Sequence, residues 1–203
     1  MNTQEEVLNE AVAVLKNGGT VVYPTETAYG LGVDATNRVA VEKMYVTKRR
    51  NPQNTPGLIV SNFRMARSLA KIPRRLARLA RNYWPGALTL VVPAKPGADL
   101  ADNVIREDGT IALRISSNET ARELTKRLGK PIVATSANVS GEPTCYTTHC
   151  VKRQFKTQDL RPDYYIEAGA LEERPPSTII TQEDGQLRVL REGPLEIQGN
   201  RIA

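Results

Sequence analysis

The chain is poor in the residues that most often carry chemistry. It has one histidine, His149, and two cysteines, Cys145 and Cys150. A Ser–His triad would have to use His149, and no nucleophile motif lies near it. Two thiols are too few for a disulfide scaffold and fit reducing surroundings. Cys145, His149 and Cys150 set three soft ligands within six residues. Structural zinc takes four, and neighbours such as His149 and Cys150 chelate poorly. They are read as incidental groups on a surface loop, and no residue is assigned as a metal ligand. With one Trp and two Phe, a Phe-rich platform for stacking bases is not expected.

Other absences narrow the class further. No run approaches the roughly 20 apolar residues of a membrane span. The first ten residues, MNTQEEVLNE, are acidic and hold no apolar signal core. A soluble, cytoplasmic protein without membrane partners is therefore expected. There is no 20–50-residue repeat and no low-complexity stretch. G-x-x-x-x-G-K-[ST], G-x-S-x-G and H-E-x-x-H are missing. Tyr29-Gly30-Leu31-Gly32 holds a G-x-G, but the third glycine of a dinucleotide fingerprint is not there.

What is present is a chain of 203 residues with a net charge of +6. That length suits one domain, 1–203, with a real core. The charge fits an anionic partner such as a nucleotide or RNA, and equally a mildly basic enzyme with no nucleic-acid role. Thr3 and Glu6 have capping-box spacing ahead of Val7, Leu8, Ala11, Val12 and Leu15 at helical period, closed by Gly18-Gly19. Residues 20–23 read as a strand that runs into YPTETAYGLG (23–32) as a loop. Helices are expected at 38–48 behind Asn37, at 62–71, at 74–83, from Asn118 to Gly129, and near 148–154. Strands are expected at 57–60, 87–92, 110–116 and 131–137. They are also expected in YYIEAG, STIIT and QLRVLRE, the last two joined by Asp184-Gly185. Interleaved strands and helices make the class α/β or mixed α+β.

Polar clusters fall at the ends of these elements: Thr25-Glu26-Thr27, Lys48-Arg49-Arg50, Arg114, Thr135-Ser136-Ala137-Asn138 with Ser140-Gly141, Ser177-Thr178, and Arg191. Each alone is ordinary turn or terminus chemistry. Taken together, fixed cations with hydroxyls and backbone amides at strand ends make a polyphosphate site. Such a site works by positioning and by neutralising charge at phosphorus, with no nucleophilic side chain.

In order along the chain these are PTETAYGLG (24–32), Lys48-x-Arg50, WPGALTLV (84–91), ALR (112–114), TSANVSG (135–141), STII (177–180) and VLREG (189–193). In that combination the chain resembles the threonylcarbamoyl-AMP synthases, in their short, single-domain form. The resemblance implies an α/β (α+β) fold with a large, twisted, barrel-like mixed sheet and flanking helices around a basic concave cleft. It implies a nucleotidyltransferase that makes threonylcarbamoyl-AMP and pyrophosphate from L-threonine, bicarbonate and ATP. Mg²⁺ would be carried by the nucleotide. A threonylcarbamoyl transferase complex would then use the product for tRNA threonylcarbamoyladenosine modification.

By the same resemblance Thr25, Arg114, Ala134 and Ser177 hold threonine, with Arg114 on its carboxylate. Lys48, Arg50, Ser136 and Asn138 form the catalytic polar tetrad on ATP, and Thr110, Thr144 and Arg191 add ATP contacts. The family usually has a shorter link after its Lys-x-Arg. Here RRNPQNTPG precedes Leu58, and Arg49 is an alternative to Arg50. Two rivals stand beside this reading. One is a non-enzymatic factor binding double-stranded RNA or tRNA on the same scaffold, through Arg64, Arg67 and Lys71 and through Arg74, Arg78 and Arg81, each set on one helical face. Solvated helix faces account for these residues as well. The other rival is a carbamoyl-transferring domain of the hydrogenase-maturation type, which normally sits in a much larger chain.

Overall fold

The computed structural model describes residues 3–196. Helix α1 (Gln4–Lys16) starts at the expected capping box. Thr3 N donates to Glu6 Oε2 at 2.7 Å and Glu6 N to Thr3 Oγ1 at 3.2 Å. Helices α2 (Arg38–Lys48) and α5 (Glu119–Leu128) begin at Asn37 and Asn118, whose side chains accept backbone N–H groups. Gly129 closes α5 in the left-handed region at φ 74°. Helices α3 (Phe63–Leu69) and α4 (Arg74–Tyr83) are split at Pro73, and α6 is Thr148–Phe155. Among the described residues no helix is long and apolar enough to cross a membrane.

The strands are β1 (Val21–Pro24), β2 (Tyr29–Gly32), β3 (Gly57–Ile59), β4 (Leu88–Pro93), β5 (Thr110–Arg114), β6 (Ile132–Ser136), β7 (Tyr164–Tyr165), β8 (Thr178–Glu183) and β9 (Gln186–Arg191). They form one mixed sheet in the order β7-β1-β2-β6-β3-β5-β4-β8-β9. Its edges, β7 and β9, do not pair, so the barrel-like expectation is corrected to an open sheet. YYIEAG also shrinks to the two residues of β7, too short an edge for closure.

The two faces of the sheet are separated by period-2 alternation. Along β1, Val21 and Tyr23 join the cluster of α1 and α5, which includes Leu8, Leu15, Leu124 and Leu128, while Val22 joins the larger cluster opposite. That larger cluster contains Met44 of α2, Leu69 of α3, Leu76 and Leu79 of α4, and Phe155 of α6. Along β5, Ile111 and Leu113 enter the larger core. Ala112 and Arg114 are left on the other face. The candidate site forms there.

The opening motif departs most from its expected form. YPTETAYGLG is a hairpin: Val21 pairs with Gly32, Val22 with Leu31, Tyr23 with Gly30 and Pro24 with Tyr29. The buried Tyr23 ring covers the two glycines across the ladder. A Cβ at Gly30 would lie 2.9 Å from Tyr23 Cζ, and one at Gly32 2.7 Å from Tyr23 Cε1. Gly32→Ala is expected to cost about 1–3 kcal/mol through this overlap. Urea denaturation should show a lower midpoint at unchanged slope, whereas an unshifted midpoint would mean the ring is free to move.

Candidate active site

A cavity of about 480 Å³ opens on the face left by Ala112 and Arg114. Strand pairs two residues apart furnish its floor: Ala112 and Arg114, Ala134 and Ser136, Ser177 and Ile179. The 24–29 turn gives one wall, with Thr25, Thr27 and Ala28, and the 144–146 segment gives another. Five arginines line it, Arg50, Arg106, Arg114, Arg174 and Arg191, and no carboxylate does.

Thr25 builds the turn it sits in. Its Oγ1 donates to Ala28 O at 2.6 Å and accepts from the N–H groups of Thr27 and Ala28 at 3.2 Å each. Glu26 is drawn under the floor. Arg114 Nη1 donates to Glu26 Oε1 at 2.9 Å, with both side chains only 10% exposed, and Ser116 Oγ donates to Glu26 Oε2. Among the described residues this is the one hydrogen bond of the Arg114 side chain, which leaves further donors of its fork for a ligand. Ser177 Oγ and Thr89 Oγ1 are 2.7 Å apart. Arg191 grips Ser177 from β9, its Nε and Nη2 donating to Ser177 O at 3.0 and 2.8 Å.

The end of α2 sorts three consecutive cations. Arg49 turns left-handed at φ 51° as the C-cap, and Arg50 N donates to Tyr45 O at 2.9 Å. This reversal sends Arg49 into solvent and Arg50 onto the cavity wall. Arg50 Nε donates to Asn54 O at 2.7 Å and Nη1 to Thr135 Oγ1 at 3.3 Å, so the long 49–56 link folds back on Arg50.

Lys48 lies beneath the wall at 1% exposure. Its Nζ donates to Ser136 O and Asn138 O at 2.5 Å each and to Asn138 Oδ1 at 3.3 Å. Asn138 Oδ1 also accepts from Ser136 Oγ at 2.5 Å, and Ser140 N donates to Lys48 O at 2.8 Å. The TSANVSG turn is thus wound around one ammonium. Burial, then the nearby Arg50, push the Lys48 pKa down to about 7. Burial also lowers Arg50, Arg106 and Arg191, the last with help from Arg114. Buried cations without counter-anions are costly, and an anionic ligand relieves that cost.

Of the residues assigned from the sequence, Thr25, Arg50, Arg114, Ala134, Ser136, Thr144, Ser177 and Arg191 line the cavity. Lys48 and Asn138 support it from behind. Thr110 opens β5 with its hydroxyl bonded to Asp108 Oδ1 at 2.6 Å and is not part of the lining. Tyr29, Thr89, Arg106, Tyr146 and Arg174 line it and were not assigned. Tyr29 and Thr89 lie within the PTETAYGLG and WPGALTLV motifs, whereas nothing in the local sequence marks Arg106, Tyr146 or Arg174. With no carboxylate on the wall, and no cluster of three or more His, Cys, Asp or Glu among the described residues, the site does not fit a protein-held Mg²⁺.

The reading of Cys145 and Cys150 as incidental surface thiols is overturned. They form a disulfide with their Cα atoms 5.5 Å apart. Cys145 is fully buried, and its carbonyl accepts from Tyr29 N at 3.2 Å. The bond ties the segment carrying Thr144 and Tyr146 to the first turn of α6. Only the fold makes this legible: the capping turn at Thr147 doubles Cys150 back onto Cys145.

Residues 13–193 match a family model described as telomere recombination, Sua5/YciO/YrdC. The chain is 35% identical over 190 residues to a Mycobacterium leprae protein provisionally named threonylcarbamoyl-AMP synthase, covering 92% of this chain and 83% of that protein. It is 37% identical over 145 residues to the threonylcarbamoyl-AMP synthase of Bacillus subtilis, covering 71% of this chain and 42% of that protein. The crystal structure of P. abyssi Sua5 complexed with L-threonine superposes with a TM-score of 0.88 at 31% identity, covering 96% of this chain and 56% of that one. The chain thus spans about half the length of the last two relatives. By model, sequence and structure alike, it belongs to the Sua5/YciO/YrdC family, the family of the threonylcarbamoyl-AMP synthases.

Proposed function

We propose that the protein is an L-threonylcarbamoyladenylate synthase, a transferase acting at the α-phosphorus of ATP. The observation that carries this reading is the cavity itself: five arginines without a carboxylate, set among small hydroxyls. It suits a ligand set that is strongly anionic and also rich in hydrogen-bonding groups. The names of the relatives, and the threonine bound to P. abyssi Sua5, favour the same substrates.

In this reading threonine lies at the Arg114 end. Its carboxylate takes the free donors of Arg114, and Thr25, Ala134 and Ser177 fix its orientation. Its amine and bicarbonate combine to a carbamate with loss of water. A carbamate oxygen then attacks the α-phosphorus. The bond to the β-phosphate oxygen breaks, and its electron pair leaves with pyrophosphate. The nucleophile is already an anion, so no side chain serves as general base. Arg50, Ser136, Thr144 and Arg191 face the phosphates. Lys48 and Asn138 hold the 135–141 turn in place. The adenylate would pass to a separate transferase complex that modifies tRNA.

Nucleic-acid binding is the second reading, and one observation favours it. Between Glu42 and Asp99 there are twelve Lys and Arg and no Asp or Glu. Arg64, Arg67, Lys71, Arg74, Arg78 and Arg81 are all exposed on α3, α4 and the link between them. The test is pyrophosphate release from ATP with threonine and bicarbonate each added or omitted. Release that requires both is the expected result. No release, with affinity for duplex RNA that falls steeply with salt, would favour the second reading.

A further inference from the structure

The Cys145–Cys150 bond takes no part in the proposed reaction, yet it stands in the wall of the cavity. Thr144 and Tyr146 line the cavity, while Cys145 between them enters the larger core. Among the described residues, three hydrogen bonds hold 143–146 to its surroundings. Tyr29 N donates to Cys145 O at 3.2 Å, Leu171 N to Tyr146 O at 2.8 Å, and Gln154 Nε2 to Pro143 O at 2.9 Å. Residues 140–144 are exposed, so the bond to α6 is the one covalent tie on a lightly held wall. Cys150 reaches the site by a second route. Gln154, one turn further along α6, has its Nε2 3.9 Å from Cys150 Sγ, and its Oε1 accepts from Val139 N at 3.1 Å. Val139 belongs to the 135–141 turn around the Lys48 ammonium.

The two sulfurs differ in access. Cys145 is fully buried, whereas Cys150 is partly exposed in the first turn of α6, where a helix N-terminus favours a thiolate. An accessible cysteine backed by a buried partner suits a bond that is opened and re-formed. The chain holds no third cysteine to compete in exchange. In the reducing surroundings expected from composition, disulfides are usually transient or redox-sensing rather than permanent staples. We propose that Cys145–Cys150 is a redox-modification site, through which dithiol reductants and disulfide oxidants set the ligand affinity of the cavity. It rests on the synthase reading only for the ligands that report it. A reductant thiolate attacks Cys150 Sγ, the bond between the sulfurs breaks, and its electron pair leaves on Cys145, which takes up a proton. The second thiol of the reductant loses its proton and attacks the mixed disulfide. Cys150 departs with the electron pair and is protonated, and the reductant ends as a disulfide. Two electrons and two protons have passed to the protein. A disulfide oxidant such as glutathione disulfide reverses the exchange. Closed, the bond pre-organises the Thr144–Tyr146 wall; open, part of the ligand's binding energy goes into ordering it.

The test compares wild-type protein equilibrated with dithiothreitol or with glutathione disulfide against Cys150→Ser treated alike. Thiol alkylation counts free cysteines, thermal melting confirms folding, calorimetry measures ATP and L-threonine binding, and hydrogen exchange reports on 139–147. Oxidised wild type is expected to bind ATP about three- to tenfold more tightly than reduced wild type. Exchange at 139–147 should be slower in the oxidised form and that of α1 the same in both. Cys150→Ser should match the reduced protein and ignore dithiothreitol. Two alkylated cysteines after the oxidant would overturn the proposal, as would equal ATP affinity and equal exchange in the two states. A dithiothreitol effect that persists in Cys150→Ser would overturn it too. Threonine-dependent pyrophosphate release that is identical in both states, with identical affinities, would leave the synthase reading standing and remove the switch. Redox-dependent ATP binding and exchange without threonine-dependent release would keep the switch and remove the synthase reading.

Discussion

Lys48→Ala is expected to lower threonine-dependent pyrophosphate release by about a hundredfold or more, and to destabilise the protein as well. The stability cost follows from burial. Removing the ammonium strands Ser136 O, Asn138 O and Asn138 Oδ1 without their donor and leaves a void where a fully buried side chain stood. Together these should cost on the order of 3 kcal/mol. Lys48→Met separates the two effects, because it fills the void but restores no charge. It should recover the part of the stability lost to the void, not the part lost with the three hydrogen bonds, and none of the turnover. A folded Lys48→Met protein with full activity would remove Lys48 from the mechanism.

The same lysine sets a pH dependence. Its folded pKa of about 7 lies below the roughly 10.4 of an exposed lysine. Between those values the unfolded chain binds the extra proton, so stability rises with pH across that window, and the full cost of burial applies below it. Phosphates arriving beside Lys48 favour its charged form. Nucleotide binding at about pH 8 should therefore take up protons. Titrations in buffers of different ionisation enthalpy would reveal the uptake, and heats independent of buffer would refute it.

Arg114→Ala should raise the KM for threonine by about a hundredfold, the scale of a lost charge-assisted pair, while the KM for ATP changes little. It will also leave the Glu26 carboxylate buried without its cation, and breaking such a pair typically costs about 3–5 kcal/mol. The double variant Arg114→Met with Glu26→Gln removes the pair as a unit. It should regain most of the stability and none of the threonine affinity. A KM change confined to ATP would show that Arg114 faces the nucleotide instead.

The features legible from sequence are the local ones. The Thr3–Glu6 box, the Asn37 and Asn118 caps and the Gly129 stop depend on neighbours within one turn, so the chain states them directly. The polar clusters were legible as a set because each lies at an element's end. What needed the fold depends on distant partners. Arg49 and Arg50 are indistinguishable until a left-handed residue turns one outward. Arg106 carries no mark until the turn it closes with Gly109 and Thr110 brings it to the cavity wall. The Cys145–Cys150 bond needs the capping turn of α6, and Lys48 looks like a solvated helix end until the end of β6 and the turn after it each deliver a carbonyl to it.

The hairpin at 21–32 carries a wider consequence. Its G-x-G spacing looks like a loop that yields to a phosphate, yet the space is filled by the chain's own tyrosine. Tyr23, Gly30 and Gly32 form a single steric decision written at three positions. A side chain at either glycine demands a smaller residue at 23, so the glycines are the imprint of a ring on the opposite strand.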